Sequence, residues 1–271
     1  MSVLYTTSSG GKDAAPATEK EMRSIEDIAR AFSESGDGNG LGFQRAAVLP
    51  GSSYRDASTI VIVPSRDSTI HHRVVSAWQN LIAPMNQKRA WFFVVNDEVG
   101  VAYTRTIQAI LANPELSKWR YVMTLETDNL PPPDAHIRLL ETIHEGGFDG
   151  VSGIYWTKGD VNMPMAYGDP LEYKQTGVLD FRPRDIREAL TRGQVMEVNG
   201  IAMGCSLYRL EMFKEIEPPW FVTVADCTDR GPEAFTQDLF FCKNARARGK
   251  RFAVDMRVRV GHLDLATEEV Y

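Results

Sequence analysis

The apolar residues of this chain fall into short continuous runs separated by helical spacings. Thr59-Ile60-Val61-Ile62-Val63 is β-branched throughout and ends at Pro64. A run without polar alternation is expected of a strand buried on both faces. Ala90-Trp91-Phe92-Phe93-Val94-Val95 repeats the pattern and closes at Asn96-Asp97. Arg120-Tyr121-Val122-Met123-Thr124-Leu125 repeats it again and runs into Glu126-Thr127-Asp128-Asn129 and three prolines. Phe148 to Tyr155 reads as a fourth strand. Between the runs, the spacing predicts helices over residues 69–82, 101–112 and 134–145. Pro114 marks the break after the second, and Asp134 stands at the start of the third as a cap or first-turn acid.

This alternation predicts an α/β fold, with a mostly parallel central sheet flanked by helices on both faces. In such sheets ligands bind beyond the carboxyl ends of the strands. Polar residues fall at those ends: Ser65-Arg66-Asp67, Asn96-Asp97 and Glu126-Thr127-Asp128.

The second half changes character. Residues 156–182 are rich in Gly, Pro, Tyr and Met with weak periodicity, as an active-site loop is. A short helix is expected over 184–192. Gly200 and Gly204, within Glu197 to Leu207, suggest a bend or a close backbone approach. Helices are expected over 208–216 and 235–248, and Arg251 to Val260 alternates as a strand. Toward the N-terminus, residues 1–20 read as an arm rich in Ser, Thr, Gly and Ala. Met22, Ile25, Ile28, Ala29 and Phe32 share one helical face, and the glycines from Ser35 to Gly42 require a loop. With no internal repeat and no linker, the chain divides into an N-terminal arm with a short helix, 1–57, and one domain, 58–271.

Composition narrows the class. Of 271 residues, 43% are hydrophobic and 24% charged, which is ordinary for a globular domain. The net charge of −6 argues against a general nucleic-acid binder, since phosphate neutralisation needs a basic surface. Lys243, Arg246, Arg248, Lys250, Arg251, Arg257 and Arg259 cluster near the C-terminus and read as a solvated helix face and strand edge. Cys205, Cys227 and Cys242 have no paired short spacing, which disfavours a zinc site or disulfide framework and suits a reduced, cytoplasmic setting. No apolar run approaches the roughly 18 residues of a membrane span. The first twenty residues lack the apolar core of a signal peptide.

Three segments carry candidate chemistry. Carboxylates directly after a buried strand are costly unless they meet solvent or a cation, so Glu126 and Asp128 suit Mg²⁺ or Mn²⁺. Asp238, near a predicted helix start in Thr236-Gln237-Asp238-Leu239-Phe240-Phe241-Cys242, can take a proton from a hydroxyl. His262, in Val260-Gly261-His262-Leu263-Asp264, can supply an imidazole ligand. Taken singly, each is more often an ordinary turn, cap or packed histidine. Tyr155, Trp156, Tyr167, Tyr173 and Trp220 can stack on a sugar or base, or pack. Asn199 reads as a sugar-contacting amide or a turn residue.

In order and context, these pieces resemble the GT-A glycosyltransferases, specifically the large family-2-like group. Ile60-Val61-Ile62-Val63-Pro64-Ser65-Arg66 is similar to that family's first nucleotide-binding strand. Val122 to Pro133 is similar to its DXD segment, and Val198 to Phe213 to its glycine-rich acceptor-side segment. Thr236 to Gly249 resembles the helix that carries the catalytic base. Val254 to Leu263, with Asp255 and Gly261-His262-Leu263, resembles the closing strand with its metal-binding histidine. The resemblance covers residues 58–264 and implies a GT-A fold.

The resemblance also implies roles. Asp128 and His262 would hold a Mn²⁺ or Mg²⁺ ion, with Glu126 near the ribose or the metal waters. Pro64, Ser65, Arg66 and Asp97 would line the nucleoside pocket, and Arg105 would contact diphosphate or base. Asp238 would be the general base of an inverting transfer. The donor would be a nucleotide-diphosphate sugar, UDP-linked, and the acceptor a hydroxyl of a glycan, small molecule, protein or hydroxylated DNA base. Two positions depart from the family: Glu126 stands where the first acid is usually Asp, and Gln237 where Glu is usual. Two rival functions share parts of the pattern: a sugar-phosphate nucleotidyltransferase, and a non-catalytic nucleotide- or carbohydrate-binding module. Against the first, Pro64-Ser65-Arg66-Asp67-Ser68-Thr69 lacks the glycine-rich loop such enzymes carry after the first strand.

Overall fold

The structure, a computed structural model, describes residues 5–7, 56–66, 69–228 and 231–271. The helix expected over 21–33, the glycine-rich loop at 35–42 and Asp67 lie outside the described residues.

The central sheet has eight strands: β1 (Tyr5–Thr7), β2 (Thr59–Ser65), β3 (Arg89–Val95), β4 (Tyr121–Leu125), β5 (Gly150–Ile154), β6 (Val195–Val198), β7 (Cys205–Arg209) and β8 (Phe252–Arg259). Their order is β1-β3-β2-β4-β7-β5-β8-β6. Six strands point one way, while β7 and β6 run against their neighbours. The expected mixed α/β architecture, with a mostly parallel sheet, is therefore present. Residues 5–7 of the N-terminal arm form its edge, paired with β3.

Each continuous apolar run became a strand: β2, β4 and β5 are buried on both faces, while β3 buries one face and leaves Trp91 and Phe93 half-buried on the other. Ile60 and Ile62 point into one core with Phe92, Tyr103, Ile107, Phe213 and Phe241. Val61 and Val63 point into the other with Trp78, Met123, Leu125, Leu139 and Ile143. That two-residue alternation is the pleat itself. Helix α1 (His72–Gln79) and helix α3 (Ala135–Glu145) cover the second face, and α2 (Val99–Ala112) covers the first. The strand run beginning at Thr59 continues through Pro64 to Ser65. Pairing of β2 with β4 ends at Ile62, so Pro64 sits where the strand has a single neighbour, a place that tolerates a missing N–H.

One expected element is replaced. The helix predicted over 208–216 is a strand up to Arg209, and only Met212–Glu215 is helical. β7 inserts antiparallel between β4 and β5, which buries Leu207 and Tyr208 completely. Burial between two strands outweighs the weak local preference for helix. The irregular stretch 156–182 holds a short helix, α4 (Pro170–Thr176), opened by the Asp169 carboxylate on Leu171 N–H and closed by Gly177 at φ 71°. The helix expected over 184–192 is Arg187–Arg192, here α5. The helix expected over 235–248 is Gln237–Arg246, here α7, counting Met212–Glu215 as α6. Asp134 occupies the cap position of α3 but makes no cap bond; its carboxylate takes the Arg138 guanidinium at 3.2 Å.

Buried polar groups tie helices to the sheet. Asp255, fully buried, receives Thr142 Oγ1 at 2.6 Å and a bidentate grip from Arg257 at 2.9 and 2.7 Å. The register of β8 shifts between Asp255 and Arg259, a bulge that seats this cluster. No helix among the described residues is long and apolar enough to cross a membrane.

His136, buried in α3, lies 3.0 Å from Thr59 Oγ1. The Thr59 hydroxyl donates to Ala57 O, so the imidazole Nε2 carries the hydrogen and donates to Thr59. Burial, aided by the charge of Arg89, pushes this imidazole down from 6.5 to about 3. The folded protein thus keeps His136 neutral while the unfolded chain takes up a proton below pH 6.5. Stability carried by this site is full above pH 6.5 and drains away as pH falls toward 3. A His136→Gln variant is expected to show a flatter pH dependence across that window. Urea midpoints of parent and variant should converge as pH falls; parallel profiles would contradict the assignment.

Candidate functional site

The site lies beyond the carboxyl ends of the strands, where β4 runs out of sheet at Leu125. Three segments meet there. Glu126 to Asn129 leaves β4, residues 155–158 leave β5, and residues 261–262 follow β8. Asn129 and His262 pair as a two-residue ladder, and Leu263 N–H donates to Asp128 O at 2.7 Å. This backbone lacing brings Asp128 and His262 side by side.

Asp128 Oδ2 receives Lys158 Nζ at 2.5 Å and lies 3.4 Å from His262 Nε2. Burial pushes the Asp128 carboxyl up, but the hydrogen bonds and charges of His262 and Lys158 outweigh it and hold it below its ordinary value. His262 Nδ1 is 2.7 Å from Trp156 O, and a carbonyl only accepts, so Nδ1 carries a hydrogen. That bond fixes the ring and directs the Nε2 edge at Asp128. The Tyr155 ring braces the imidazole edge-on at 5.4 Å.

Glu126 lies beside this pair. Burial first, then the charges of Asp128 and Asp238, push its carboxyl up to about 8, against the opposing pull of Lys158. Asp238, in the first turn of α7, has its carboxyl raised by burial, while the Thr236 hydroxyl and the Leu239 N–H, both donating to Oδ1, pull the other way. The charges of Glu126 and Asp238 both reach the buried hydroxyls of Tyr103 and Tyr155, and Asp128 reaches Tyr103 as well. The three carboxylates therefore share one electrostatic environment. Like charges gathered in a low-dielectric cleft demand a cation or a proton.

Gly204 makes this crowding possible. Its N–H donates to Tyr155 Oη at 2.7 Å, and its carbonyl accepts from Glu126 N–H at 3.1 Å. A Cβ at this position would lie 2.3 Å from Asn129 Oδ1 and 2.6 Å from Tyr155 Oη. The close approach read from Gly204 in the sequence is thus a three-way junction under the carboxylates.

The other candidates are distributed. Asp97 and Arg105 pair with each other at 3.2 Å, at the end of β3 and the second turn of α2. Pro64 and Ser65 close β2, with Ser65 O accepting from Asn96 N–H at 3.0 Å, and Arg66 beyond them is exposed. These residues belong to the same carboxyl edge as Asp128. Gln237 is linked to the α2 cap Glu98 through Thr223, whose hydroxyl lies 3.0 Å from Glu98 and 3.4 Å from Gln237. Asn199 is fully buried, with Nδ2 donating to Asp180 O at 3.2 Å. Trp220 is also buried, donating to Ile216 O and packing on Phe213.

Lys158 is the residue that sequence reasoning missed. The only available signal was its place in the irregular stretch after β5, where a lysine has no local mark of function. Among the described residues, no group of three or more His, Cys, Asp and Glu side chains is arranged to hold a metal ion. Asp128 and His262 form a two-donor pair, with Lys158 as the resident cation.

Fold and site together define an open, mostly parallel α/β protein with an acidic cluster at the carboxyl edge of its sheet. No protein-family model matches the chain, and no curated protein matches it. Among solved structures, the crystal structure of A197 from STIV is similar, with a TM-score of 0.51 and 16% identity over 76% of this chain and 86% of that chain. At that identity the likeness is one of fold.

Gly204→Ala is expected to cost about 1–3 kcal/mol, the usual range for forcing extra atoms into a packed core. Urea unfolding followed by circular dichroism measures it, and an unchanged midpoint would remove Gly204 from its junction role.

Proposed function

We propose that this protein is a glycosyltransferase that moves a sugar from a nucleotide-diphosphate donor, UDP-linked, to an acceptor hydroxyl, with a GT-A type of site. The observation that carries the reading is the Asp128–His262 pair at the carboxyl end of β4, with Asp238 in the same electrostatic cluster. The order of these segments along the chain supports it, as does the placement of Pro64, Ser65, Arg66, Asp97 and Arg105 on the same sheet edge.

The donor set suits a divalent ion that takes the rest of its shell from a diphosphate. Asp128 offers a carboxylate oxygen, and His262 offers Nε2 while Nδ1 is spent on the Trp156 carbonyl, the usual arrangement behind a ligating imidazole. Mn²⁺ or Mg²⁺ held there would offset the charge of the departing nucleoside diphosphate. The protein's own residues do the remaining work. Asp238, raised by burial, accepts the proton of the acceptor hydroxyl on Oδ2, since Oδ1 is held by Thr236 and Leu239. Arg105, positioned by Asp97, binds the diphosphate or base. Lys158 neutralises Asp128 and, by leaving it, admits a more highly charged partner.

A panel of nucleotide sugars with Mn²⁺ tests the reading directly. Release of nucleoside diphosphate supports it. Pyrophosphate release from a sugar phosphate and a nucleoside triphosphate would instead assign a nucleotidyltransferase, and affinity without release a binding module. Asp128→Ala is expected to lower turnover about 10²–10³-fold with circular dichroism unchanged, and Asp238→Asn about 10²–10⁴-fold. Unchanged turnover in either variant removes that residue from the chemistry.

Lys158→Met separately tests the cation exchange at Asp128. Mn²⁺ titration followed by paramagnetic resonance should show several-fold tighter binding in the variant. Equal affinity in parent and variant would show that lysine and metal do not compete.

A further inference from the structure

A cavity of about 720 Å³ opens at the far end of α7, between that helix, α4 and the edge strand β6. None of its lining residues belongs to the carboxylate cluster. Arg246, which lines it, is eight residues along α7 from Asp238, or about 12 Å at the helical rise.

Four cationic side chains line this cavity against two carboxylates. Arg251 engages Glu197 in a bidentate pair at 3.2 and 2.7 Å, and Arg184 engages Asp169 at 3.0 Å. Those pairs consume both carboxylates. Lys174, in the last turn of α4, is exposed and makes no hydrogen bond or ion pair among the described residues. Arg246 is different: its side chain is only 9% exposed. One terminal nitrogen, Nη1, donates to Lys250 O at 3.0 Å and stays 3.9 Å from Glu197. Its Nε is buried with no hydrogen-bond partner. The guanidinium lies over the Tyr173 ring, 5.6 Å from its centre.

A buried guanidinium N–H without an acceptor is costly, and the arginine edge that carries Nε is the one that grips oxyanions side-on. The C-terminal dipole of α7 opposes an anion here, but it amounts to about half a charge near the helix end. The surplus of two cations exceeds it. Tyr173 and Leu171 add an apolar wall on the same side.

We propose that this cavity binds a phosphomonoester of a small organic molecule, such as a sugar phosphate. The dianion would meet the Arg246 guanidinium where it lines the cavity and neutralise Lys174, and the organic body would lie along Leu171 and Tyr173. This inference is independent of the reading of the Asp128 cluster.

Calorimetric titration of the full chain with glucose 6-phosphate, with inorganic phosphate and glucose as controls, tests it. Saturable binding of glucose 6-phosphate is expected, tighter than that of inorganic phosphate, with none for glucose. Arg246→Met should weaken it on the order of tenfold or more, the loss expected of a hydrogen bond to a charged group. Arg246 also holds the end of α7, so the exposed Lys174→Met provides a second variant, expected to weaken binding several-fold. Asp238→Asn should leave phosphate binding unchanged even if it abolishes sugar transfer. The inference is overturned if the parent shows no saturable binding, or if Arg246→Met and Lys174→Met both bind as the parent does. Loss of binding in Asp238→Asn alone would place the anion in the carboxylate cluster and overturn it equally.

Discussion

The carboxylate of Asp128, held at 2.5 Å by Lys158 and 3.4 Å from His262, joins three separate parts of the chain. It ends the buried strand β4, Lys158 belongs to the excursion after β5, and His262 follows the last strand of the sheet. Without these partners the aspartate would be a poorly compensated charge beside Glu126 and Asp238. With them, its carboxyl stays ionised while Glu126 beside it is pushed toward the protonated form. The site is thus organised as a charge balance, and the surrounding backbone serves to keep that balance in place.

The packing beneath shows how the sheet sustains it. Gly204 brings β7, Tyr155 and the Glu126 backbone into contact closer than a side chain would permit. Tyr155 then braces His262, whose far nitrogen is committed to the Trp156 carbonyl. Gly204, Tyr155, His262 and the Trp156 carbonyl thus form one connected set of contacts beside the carboxylates.

Helix α7 connects two ends of the molecule. Its first turn presents Asp238 to the acidic cluster, and its last turn presents Arg246 to a cationic cavity. The two ends have opposite electrostatic character, each set by burial: at one, carboxylates without enough cations, and at the other, guanidinium groups without enough carboxylates. Between them Phe241, Cys242 and Ala245 anchor the helix in the core of the first face.

Much of the architecture was legible in the residues themselves. The apolar runs at 59–63 and 90–95 became strands of the sheet, and the spacing over 134–145 became α3. The reading failed at 208–216, where a strand took residues of no strong local preference because two neighbouring strands buried them. Of the site, Glu126, Asp128, Asp238 and His262 were readable because strand and helix ends mark them. Lys158 was not, since nothing around it in sequence distinguishes it from any exposed lysine. By itself the sequence determined the layered α/β class and the polar tips at one sheet edge, because hydrophobic runs and their ends are local signals. The resemblance implied the nearness of Asp128 and His262, but only the tertiary structure decided that Lys158 joins them, that β7 turns antiparallel, and that Arg246 is buried beside a cavity. Those facts rest on contacts between residues far apart in the chain, where geometry and burial, rather than residue type, choose the partner.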